Sequence, residues 1–99
     1  MPRAYIVATI DVADPVAYEE YRRVAPGLIA AHGGRYLVRG GAVDVLEGDA
    51  VPGRVVILEF PDQEAARRFW DSPEYRAAAG LRHASSTSSL FLVEGYDEG

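Results

Sequence analysis

The residues best suited to chemistry surround a glycine break near the middle of the chain. Arg39 and Glu47 stand on either side of Gly40-Gly41, in a stretch that otherwise alternates like a strand. If the break turns both side chains toward a cavity between sheet and helices, Arg39 can hold a carboxylate or an enolate through two parallel hydrogen bonds. Alternatively, the pair forms a structural salt bridge that fixes the break. Spacing alone does not separate these two interpretations.

Glu59 is a second candidate, because it shares one face of a strand with the apolar residues Val55 and Ile57. A carboxylate in an apolar environment is costly unless it is paired or protonated. Burial would raise its pKa toward the range that is useful to a general base. The alternatives are an ion pair with an arginine across a dimer, such as Arg39, or a position at the wet end of a barrel.

The two histidines, His32 and His83, each end a predicted helix. Histidine titrates near neutral pH, so His32 is a candidate for proton transfer and His83 for substrate binding. Near a helix C-terminus, however, histidine also caps carbonyls and interacts favourably with the helix dipole. No HxH or HxxxH spacing occurs, and we therefore predict no metal site.

Aromatic residues recur at helical spacing and can form either the core or the wall of a pocket. Two of them, Tyr18 and Trp70, are the candidates for contact with a substrate. The full set is Tyr18, Tyr21, Phe69, Trp70 and Tyr75.

The elements that must position these side chains follow the order β-α-β-β-α-β. Strands are predicted at 4–12, 35–39, 43–47, 54–60 and 90–94. The glycines between 35–39 and 43–47 form either a bulge within one strand, which we favour, or a tight hairpin. Helices are predicted at 15–32 and 62–83, the second in two segments. Asp14-Pro15 and Ser72-Pro73 each place proline after a capping side chain, which indicates a helix start.

Three details of this arrangement are further expectations. Pro26 is expected to kink or split the first helix, because it cannot donate to the preceding turn. Residues 85–89 are expected to be a polar linker. The whole order is that of the α+β ferredoxin-like fold, in which two helices cover one face of a four-stranded antiparallel sheet.

The other face of the predicted sheet is also apolar. Along 54–60, one side carries Val56, Leu58 and Phe60, while the other carries Val55, Ile57 and Glu59. An uncovered apolar sheet is an aggregation hazard. A second copy related by a two-fold axis would cover it. We therefore predict a homodimer through the sheet face, that is, a dimeric α/β barrel.

Composition limits the remaining function classes. A chain of 99 residues is long enough for a single domain, 1–99, and its net charge of −5 argues against nucleic acid or an anionic membrane as partner. The chain has no cysteine and no lysine, which excludes disulfides, thiolate nucleophiles and Schiff-base chemistry. The N-terminus lacks the features of a signal peptide, so we expect a cytoplasmic protein. No phosphate-binding glycine loop follows a strand, and we expect no cofactor.

Several short segments occur in a characteristic order along nearly the whole chain: Asp14-Pro15, Gly33 to Gly41, Glu47-Gly48, Glu59 to Pro61, Ser72 to Tyr75 and Val93 to Gly95. In these the chain resembles domain-of-unknown-function family 1330, within the dimeric α/β-barrel superfamily. The resemblance implies a ferredoxin-like protomer that dimerises sheet to sheet, and no settled reaction. Relatives in the superfamily include cofactor-free monooxygenases, haem-degrading enzymes, muconolactone isomerases and chlorite dismutases, but a shared fold does not transfer their activities.

The haem-degrading relatives combine an asparagine with a tryptophan and a histidine, and this chain contains no asparagine. Inward-facing polar residues and the lack of a cofactor signature lead us to predict a homodimer that binds a small organic molecule between sheet and helices. If it is an enzyme, cofactor-free proton transfer or oxygenation is expected, with Arg39 holding the substrate and Glu59 or His32 moving the proton. The alternative is a non-catalytic binding or assembly module, whose charged residues serve only the dimer interface.

Overall fold

The computed structural model describes residues 2–97. Its elements in chain order are β1 (Ala4–Val12), α1 (Pro15–Ala31), β2 (Arg35–Arg39), β3 (Arg54–Phe60), α2 (Gln63–Asp71), α3 (Pro73–Ser85) and β4 (Ser86–Glu94). The strands form one antiparallel sheet in the order β2-β3-β1-β4. This arrangement confirms the predicted ferredoxin-like fold.

All three helices begin at a capping side chain. The carboxylates of Asp14 and Asp62 accept hydrogen bonds from the backbone N–H groups three residues later, at 3.1 and 2.8 Å. The Ser72 hydroxyl does the same for Tyr75 at 3.1 Å. Each cap satisfies a backbone donor that the helix cannot, which is worth about 1 kcal/mol. These caps fix the three helix starts at the positions that the sequence indicates.

The end of α1 depends on two glycines. Gly33 has φ +79°, a conformation that favours glycine. Its N–H donates to the carbonyl of Ala30 at 3.0 Å, and that of Gly34 donates to the carbonyl of Ile29 at 2.9 Å. These two bonds form the Schellman motif, which closes the last turn and directs the chain into β2.

The core lies between the helices and one face of the sheet. Ile6 pairs with Leu58 and Ala8 with Val56, so these apolar side chains share the helix-side face. Phe60, Phe69 and Tyr75 are fully buried against it. The ring centres of Phe60 and Phe69 lie 5.3 Å apart, and those of Phe69 and Tyr75 lie 4.4 Å apart. Alternation along β1 and β3 therefore predicted the buried face correctly.

The opposite side of the sheet, here called the helix-free face, is formed by Tyr5, Val7, Val55, Ile57, Glu59, Phe91 and Val93. Within residues 2–97 no helix packs on it. Phe91 is 58% exposed and Val93 is 44% exposed. A solvent-exposed apolar sheet face of this kind marks an interaction surface.

The predicted strand at 43–47 is wrong. Residues 41–53 have no regular structure, and β2 ends at Arg39. The strand has no partner there, because β3 begins only at Arg54 and pairs with β2 over Arg35–Arg39. Gly40 has φ +72° and turns the chain out of the sheet. The register irregularity between β2 and β3 lies between Tyr36 and Val38, before the glycines.

Two other expectations also need correction. Residues 85–89 are no linker, because α3 extends to Ser85 and β4 begins at Ser86. β1 has nine residues and is long enough to pair with this polar stretch. Val12 pairs with Ser86 and Thr9 pairs with Ser89. Pro26 does not split the first helix, which is continuous from Pro15 to Ala31.

Candidate functional site

A cavity of about 30 Å³ lies between the helix-side face of the sheet and the helices. This is room for about two water molecules. Apolar residues of β1 and β3 form its floor, aromatic side chains form most of its walls, and arginines stand beside them. The lining residues are Ile6, Ala8, Ile10, Tyr18, Tyr21, Arg22, Ile29, Tyr36, Arg39, Arg54, Val56, Leu58, Phe69, Trp70, Tyr75 and Leu90.

Proline within α1 positions the arginine that the sequence singled out. Pro26 has no N–H, so the carbonyl of Arg22, four residues earlier, lacks its helical hydrogen bond. The guanidinium of Arg39 donates to that carbonyl at 3.0 Å. The central guanidinium carbon, Cζ, of Arg39 also lies 4.6 Å from the centre of the Tyr36 ring. Arg39 is thus held at the wall of the cavity by a helix defect and an aromatic face.

Three tyrosines of the cavity, Tyr18, Tyr21 and Tyr36, are neutral hydrogen-bonding groups at neutral pH. Tyr21 and Tyr75 share a hydrogen bond between their hydroxyls at 2.9 Å. Burial raises the pKa of Tyr18, Tyr21 and Tyr36 above the ordinary value, because it penalises the phenolate. None of these phenols therefore acts as a base at neutral pH.

Three of the predicted site residues meet at this cavity, namely Arg39, Tyr18 and Trp70. Trp70 also stacks on Tyr75, with ring centres 5.4 Å apart. The aromatic cluster is therefore both core and cavity wall, the two interpretations that helical spacing left open.

Glu59 lies on the helix-free face, away from the cavity. Its carboxylate accepts a hydrogen bond from Arg35 at 2.8 Å and lies 3.7 Å from Arg3. The Arg35 hydrogen bond lowers the pKa of Glu59 below its ordinary value, which outweighs the opposing effect of burial. The expectation that burial raises this pKa is wrong. An arginine does pair with Glu59, but it is Arg35 of the same chain rather than Arg39.

Glu59 should make folding stability depend on pH. Because its pKa is lowered in the folded chain, the carboxylate contributes stability above its unfolded pKa of about 4.3, and this contribution is lost as pH falls through the lower folded pKa. We expect Glu59→Gln to lower the urea midpoint at pH 7 and to have a smaller effect at pH 3. Glu64→Gln, in the exposed pair with Arg68, is the matched control and should change little at either pH. An equal loss at pH 3 and pH 7 would contradict this assignment.

The remaining predicted site residues stand outside the cavity lining. The Nδ1 atom of His32 lies 2.9 Å from the carbonyl of Leu28, and its ring packs edge-on against Phe69 at 5.8 Å. This is the capping role that was the alternative for His32. His83 is exposed on α3, and Glu47 is exposed in the 41–53 loop. Glu47 makes no salt bridge with Arg39, because the strand that would hold it there does not form.

Sequence reasoning missed four residues around the cavity. Tyr36 and Arg54 lie on the helix-side face of β2 and β3, and Arg22 faces inward from α1. Arg82 is buried on α3, with 2% exposure. Period-two spacing from Val56 back to Arg54, and helical spacing from Tyr75 and Ala78 to Arg82, were signals that could have found two of them.

A second space opens beside the first. A groove of about 470 Å³ lies between α2 and the edge strand β4, and it is lined by Ile6, Gln63, Arg67, Trp70, Leu90, Phe91 and Leu92. Ile6, Trp70 and Leu90 line both spaces. The Trp70 side chain therefore stands between the small cavity and the wide groove.

The described part of the chain offers no cluster of three or more His, Cys, Asp or Glu side chains that could hold a metal ion. Within residues 2–97, no helix has both the length and the apolar character needed to cross a membrane.

Comparisons with known proteins agree with this fold. The family model described as domain of unknown function DUF1330 matches residues 3–96. A protein of unknown function from Rhodopseudomonas palustris superposes with a TM-score of 0.78 at 22% identity, over 97% of this chain and 84% of that one. A search of curated proteins finds no match.

Two further solved structures are informative. A mutant of SnoaB, a cofactor-independent oxygenase from Streptomyces nogalater, superposes with a TM-score of 0.73 at 22% identity, over 98% of this chain and 96% of that one. A dimeric ferredoxin-like protein of unknown function from Jannaschia superposes with a TM-score of 0.66 at 18% identity, over 96% and 99%. Identities this low establish the shared fold alone.

Proposed function

Since this chain belongs to the family described only as a domain of unknown function, DUF1330, we propose a function from the cavity itself. The protein is a homodimer, and each protomer binds a small organic molecule between its sheet and its helices. The observation that carries this proposal is the shared wall of Ile6, Trp70 and Leu90 between the small cavity and the wide groove.

The two spaces complement each other. The inner cavity of about 30 Å³ has no room for an organic molecule, whereas the groove of about 470 Å³ has. Ligand pockets usually measure about 300 to 1,000 Å³. Rotation of the Trp70 indole would join the groove to the polar groups of the inner cavity. A ligand would then place its apolar part in the groove and its polar end near Arg39 and Tyr18.

Chemistry that relies on stabilising an anion fits this site better than chemistry that relies on a carboxylate or imidazole base. No Asp, Glu or His is among the described residues that line the cavity, so the protein supplies no carboxylate or imidazole base there. Arginines beside a substrate oxygen would stabilise an enolate or phenolate as its charge develops. SnoaB, which shares this fold, is a cofactor-independent oxygenase. We propose that an activated carbonyl or phenol loses a proton to water, with Arg39 at the resulting anionic oxygen. If the reaction is an oxygenation, dioxygen then oxidises this anion, and one oxygen atom enters the substrate while the other leaves as water.

The homodimer is proposed to form through the helix-free face. Phe91 and Val93 are exposed there, and the two-layered protomer leaves this side of the sheet bare within residues 2–97. A like face on a second copy, related by a two-fold axis, would bury both surfaces at once. The fold neighbour from Jannaschia is described as dimeric.

Thermal melting with a panel of small phenols and carboxylates tests the binding proposal. A ligand at one hundred times its dissociation constant should stabilise the protein by about 2.7 kcal/mol, which shifts the melting temperature by several degrees. Ala8→Val should remove the shift, because Ala8 is 3% exposed and its added methyl groups would enter the cavity. Ala84→Val, at an exposed position of α3, is the matched control and should preserve it.

The second candidate function is a non-catalytic assembly module, which the small inner cavity favours. On that proposal no compound in the panel would shift the melting temperature, while the protein would remain dimeric. A shift that Ala8→Val abolishes would instead support the binding site.

A further inference from the structure

The arginines of this acidic protein fall into two groups. The chain has a net charge of −5, and every basic side chain other than histidine is arginine. One group forms ion pairs with carboxylates, at 2.6 to 3.7 Å: Arg3, Arg22, Arg23, Arg35, Arg67 and Arg68. The other group has no carboxylate partner among the residues that the structure describes. It consists of Arg39, Arg54, Arg76 and Arg82.

The unpaired arginines all surround the aromatic wall of the cavity. Arg39 lies 4.6 Å from the ring centre of Tyr36, and Arg76 lies 4.5 Å from that of Trp70. Similar contacts at 5.9 to 6.0 Å join Arg54 to Tyr18, and Arg82 to Tyr21 and Trp70. Fifteen acidic side chains are present in the protein, yet none is among the described residues that line this cavity. The site is therefore a positive region within a negative molecule.

Arg82 is a buried arginine of this region with an unsatisfied donor. It is 2% exposed, and one terminal nitrogen donates a hydrogen bond to the Ser88 hydroxyl at 2.5 Å. The Nε atom is buried and has no partner within the described chain. A buried charge without a counter-charge is costly, and cation–π contacts with Tyr21 and Trp70 offset only part of that cost.

Two arginines of the cavity wall show the same deficiency. The Nε atoms of Arg22 and Arg54 are buried and have no hydrogen-bond acceptor in the described structure. Arg22 pairs with Glu19 at the surface through a terminal nitrogen, so its inner donor is left over. Buried donors are normally satisfied. Burial raises the pKa of Tyr18, and all three guanidinium groups lie close enough to oppose that rise. Their Nε–H groups have no acceptor among residues 2–97.

We infer that the ligand of this cavity is a planar organic anion, such as an aromatic carboxylate or a phenolate. This inference rests on the proposed binding function and adds the charge and shape of the ligand to it. The anionic oxygens would accept from the unpaired N–H groups of Arg54 and Arg22, while the ring would lie against Trp70 in the groove. Arg39, which also lines the cavity, would hold the same anionic oxygens, and Arg82 would add to the positive potential without needing to touch the ligand.

Affinity should then depend strongly on ligand charge. Hydrogen bonds from arginine to an ionised oxygen are about twice as strong as neutral ones. A neutral ligand of equal shape leaves the cavity without a counter-charge, so we expect it to bind at least about 10-fold more weakly. The aromatic wall argues against a small inorganic anion, because phosphate or sulfate would leave the groove beside Trp70 empty.

The test compares 2-naphthoate with 2-naphthamide, which have nearly the same shape but differ by one charge. Both are titrated calorimetrically into the dimeric wild-type protein at about pH 7.5 and low ionic strength, with inorganic phosphate as a third arm. We expect 2-naphthoate to bind, 2-naphthamide to bind at least about 10-fold more weakly, and phosphate at the same concentration to give no saturable heat.

Arg54→Gln should weaken the binding of 2-naphthoate about 10-fold and leave the binding of 2-naphthamide unchanged. Arg23→Gln removes the same charge at an exposed ion pair and should change neither.

The outcomes separate the two proposals. Equal affinity for 2-naphthoate and 2-naphthamide would overturn the anion and leave the binding function standing. Saturable phosphate binding that Arg54→Gln abolishes would overturn the organic ligand in favour of an inorganic one. If neither naphthalene compound binds, nor any member of the phenol and carboxylate panel, the binding function itself fails.

Arg82→Met gives a readout that needs no ligand. Methionine has a comparable length and no charge, so it should raise the melting temperature if Arg82 is a buried cation without its counter-charge. The same variant should weaken 2-naphthoate binding, because it lowers the positive potential of the site. A lower melting temperature would show that Arg82 stabilises the fold, and would overturn its part in anion binding.

Discussion

Replacing Gly34 with alanine is expected to destabilise the fold by about 3 kcal/mol, the upper part of the usual range for overpacking a core. A Cβ atom at Gly34 would lie 2.6 Å from the ring of Phe60 and 2.9 Å from the side chain of Ile29. Phe60 is fully buried and Ile29 is 3% exposed, so neither can move into solvent. The position is also the last donor of the Schellman motif that ends α1, so the strain falls where the helix turns into β2. Urea unfolding measures the change.

Gly27→Ala, within α1, is the matched control. A Cβ atom there would meet nothing within 4 Å, and alanine is the better helix former by about 1 kcal/mol. We expect the free energy of unfolding to rise by about 0.5 to 1 kcal/mol. A loss at Gly34 no larger than the change at Gly27 would show that Phe60 packs only loosely against α1.

Phe91→Glu is expected to convert the proposed dimer into monomers at micromolar concentration. Phe91 is 58% exposed on the helix-free face and lies next to Val7 of β1. Two copies of this face related by a two-fold axis would bury two phenylalanine rings, and a glutamate in their place would bury two like charges. Loss of an aromatic residue that is buried in an interface typically costs at least about 2 kcal/mol of binding free energy. With the added charge repulsion, we expect the dimer dissociation constant to rise roughly 100-fold or more, as measured by sedimentation velocity.

Val16→Glu is the control for this experiment. Val16 is 85% exposed, but it lies at the start of α1 on the opposite side of the sheet. Its variant should sediment like the wild type. A wild-type chain that is already monomeric at micromolar concentration would overturn the dimer, and so would a dimer that survives Phe91→Glu unchanged.

Elements with strong local signals were predictable from the sequence. Asp14, Asp62 and Ser72 cap the helices at the expected residues, because a side-chain acceptor before a helical pattern is a local and sufficient cause. The alternation of β3 indicated both faces of the sheet, since each side chain of a strand points opposite to the next. The ferredoxin-like topology followed from the order of these elements.

Features that depend on a partner strand were not predictable. Residues 43–47 alternate as well as any strand, but no described strand pairs with them, so alternation there has no structural consequence. Ser86 to Ser89 have the polarity of a loop, yet the length of β1 recruits them into the sheet. In both places, long-range pairing outweighed the local composition.

The candidate site was predictable only in part. Arg39, Tyr18 and Trp70 meet because helix spacing and strand order bring them to one cavity. Glu59 has the buried character that was expected, but the face it occupies pairs it with Arg35 instead. The charges of the site were the larger omission. Arg54 and Arg82 belong, with Arg39 and Arg76, to the four arginines that no described carboxylate reaches. Which side chains lack a partner is a property of the assembled fold.

Pro26 in α1 also limits which substitutions the protein can accept at position 39. A carbonyl without its helical donor gives the Arg39 guanidinium a fixed resting place between the first helix and the second strand. This hydrogen bond joins a backbone carbonyl of α1 to the Arg39 side chain, and that side chain must be long enough to reach α1 from the sheet. A shorter polar residue at position 39 would leave the Arg22 carbonyl to water, and this hydrogen bond between the two elements would be lost. Position 26 and position 39 are therefore expected to vary together or not at all.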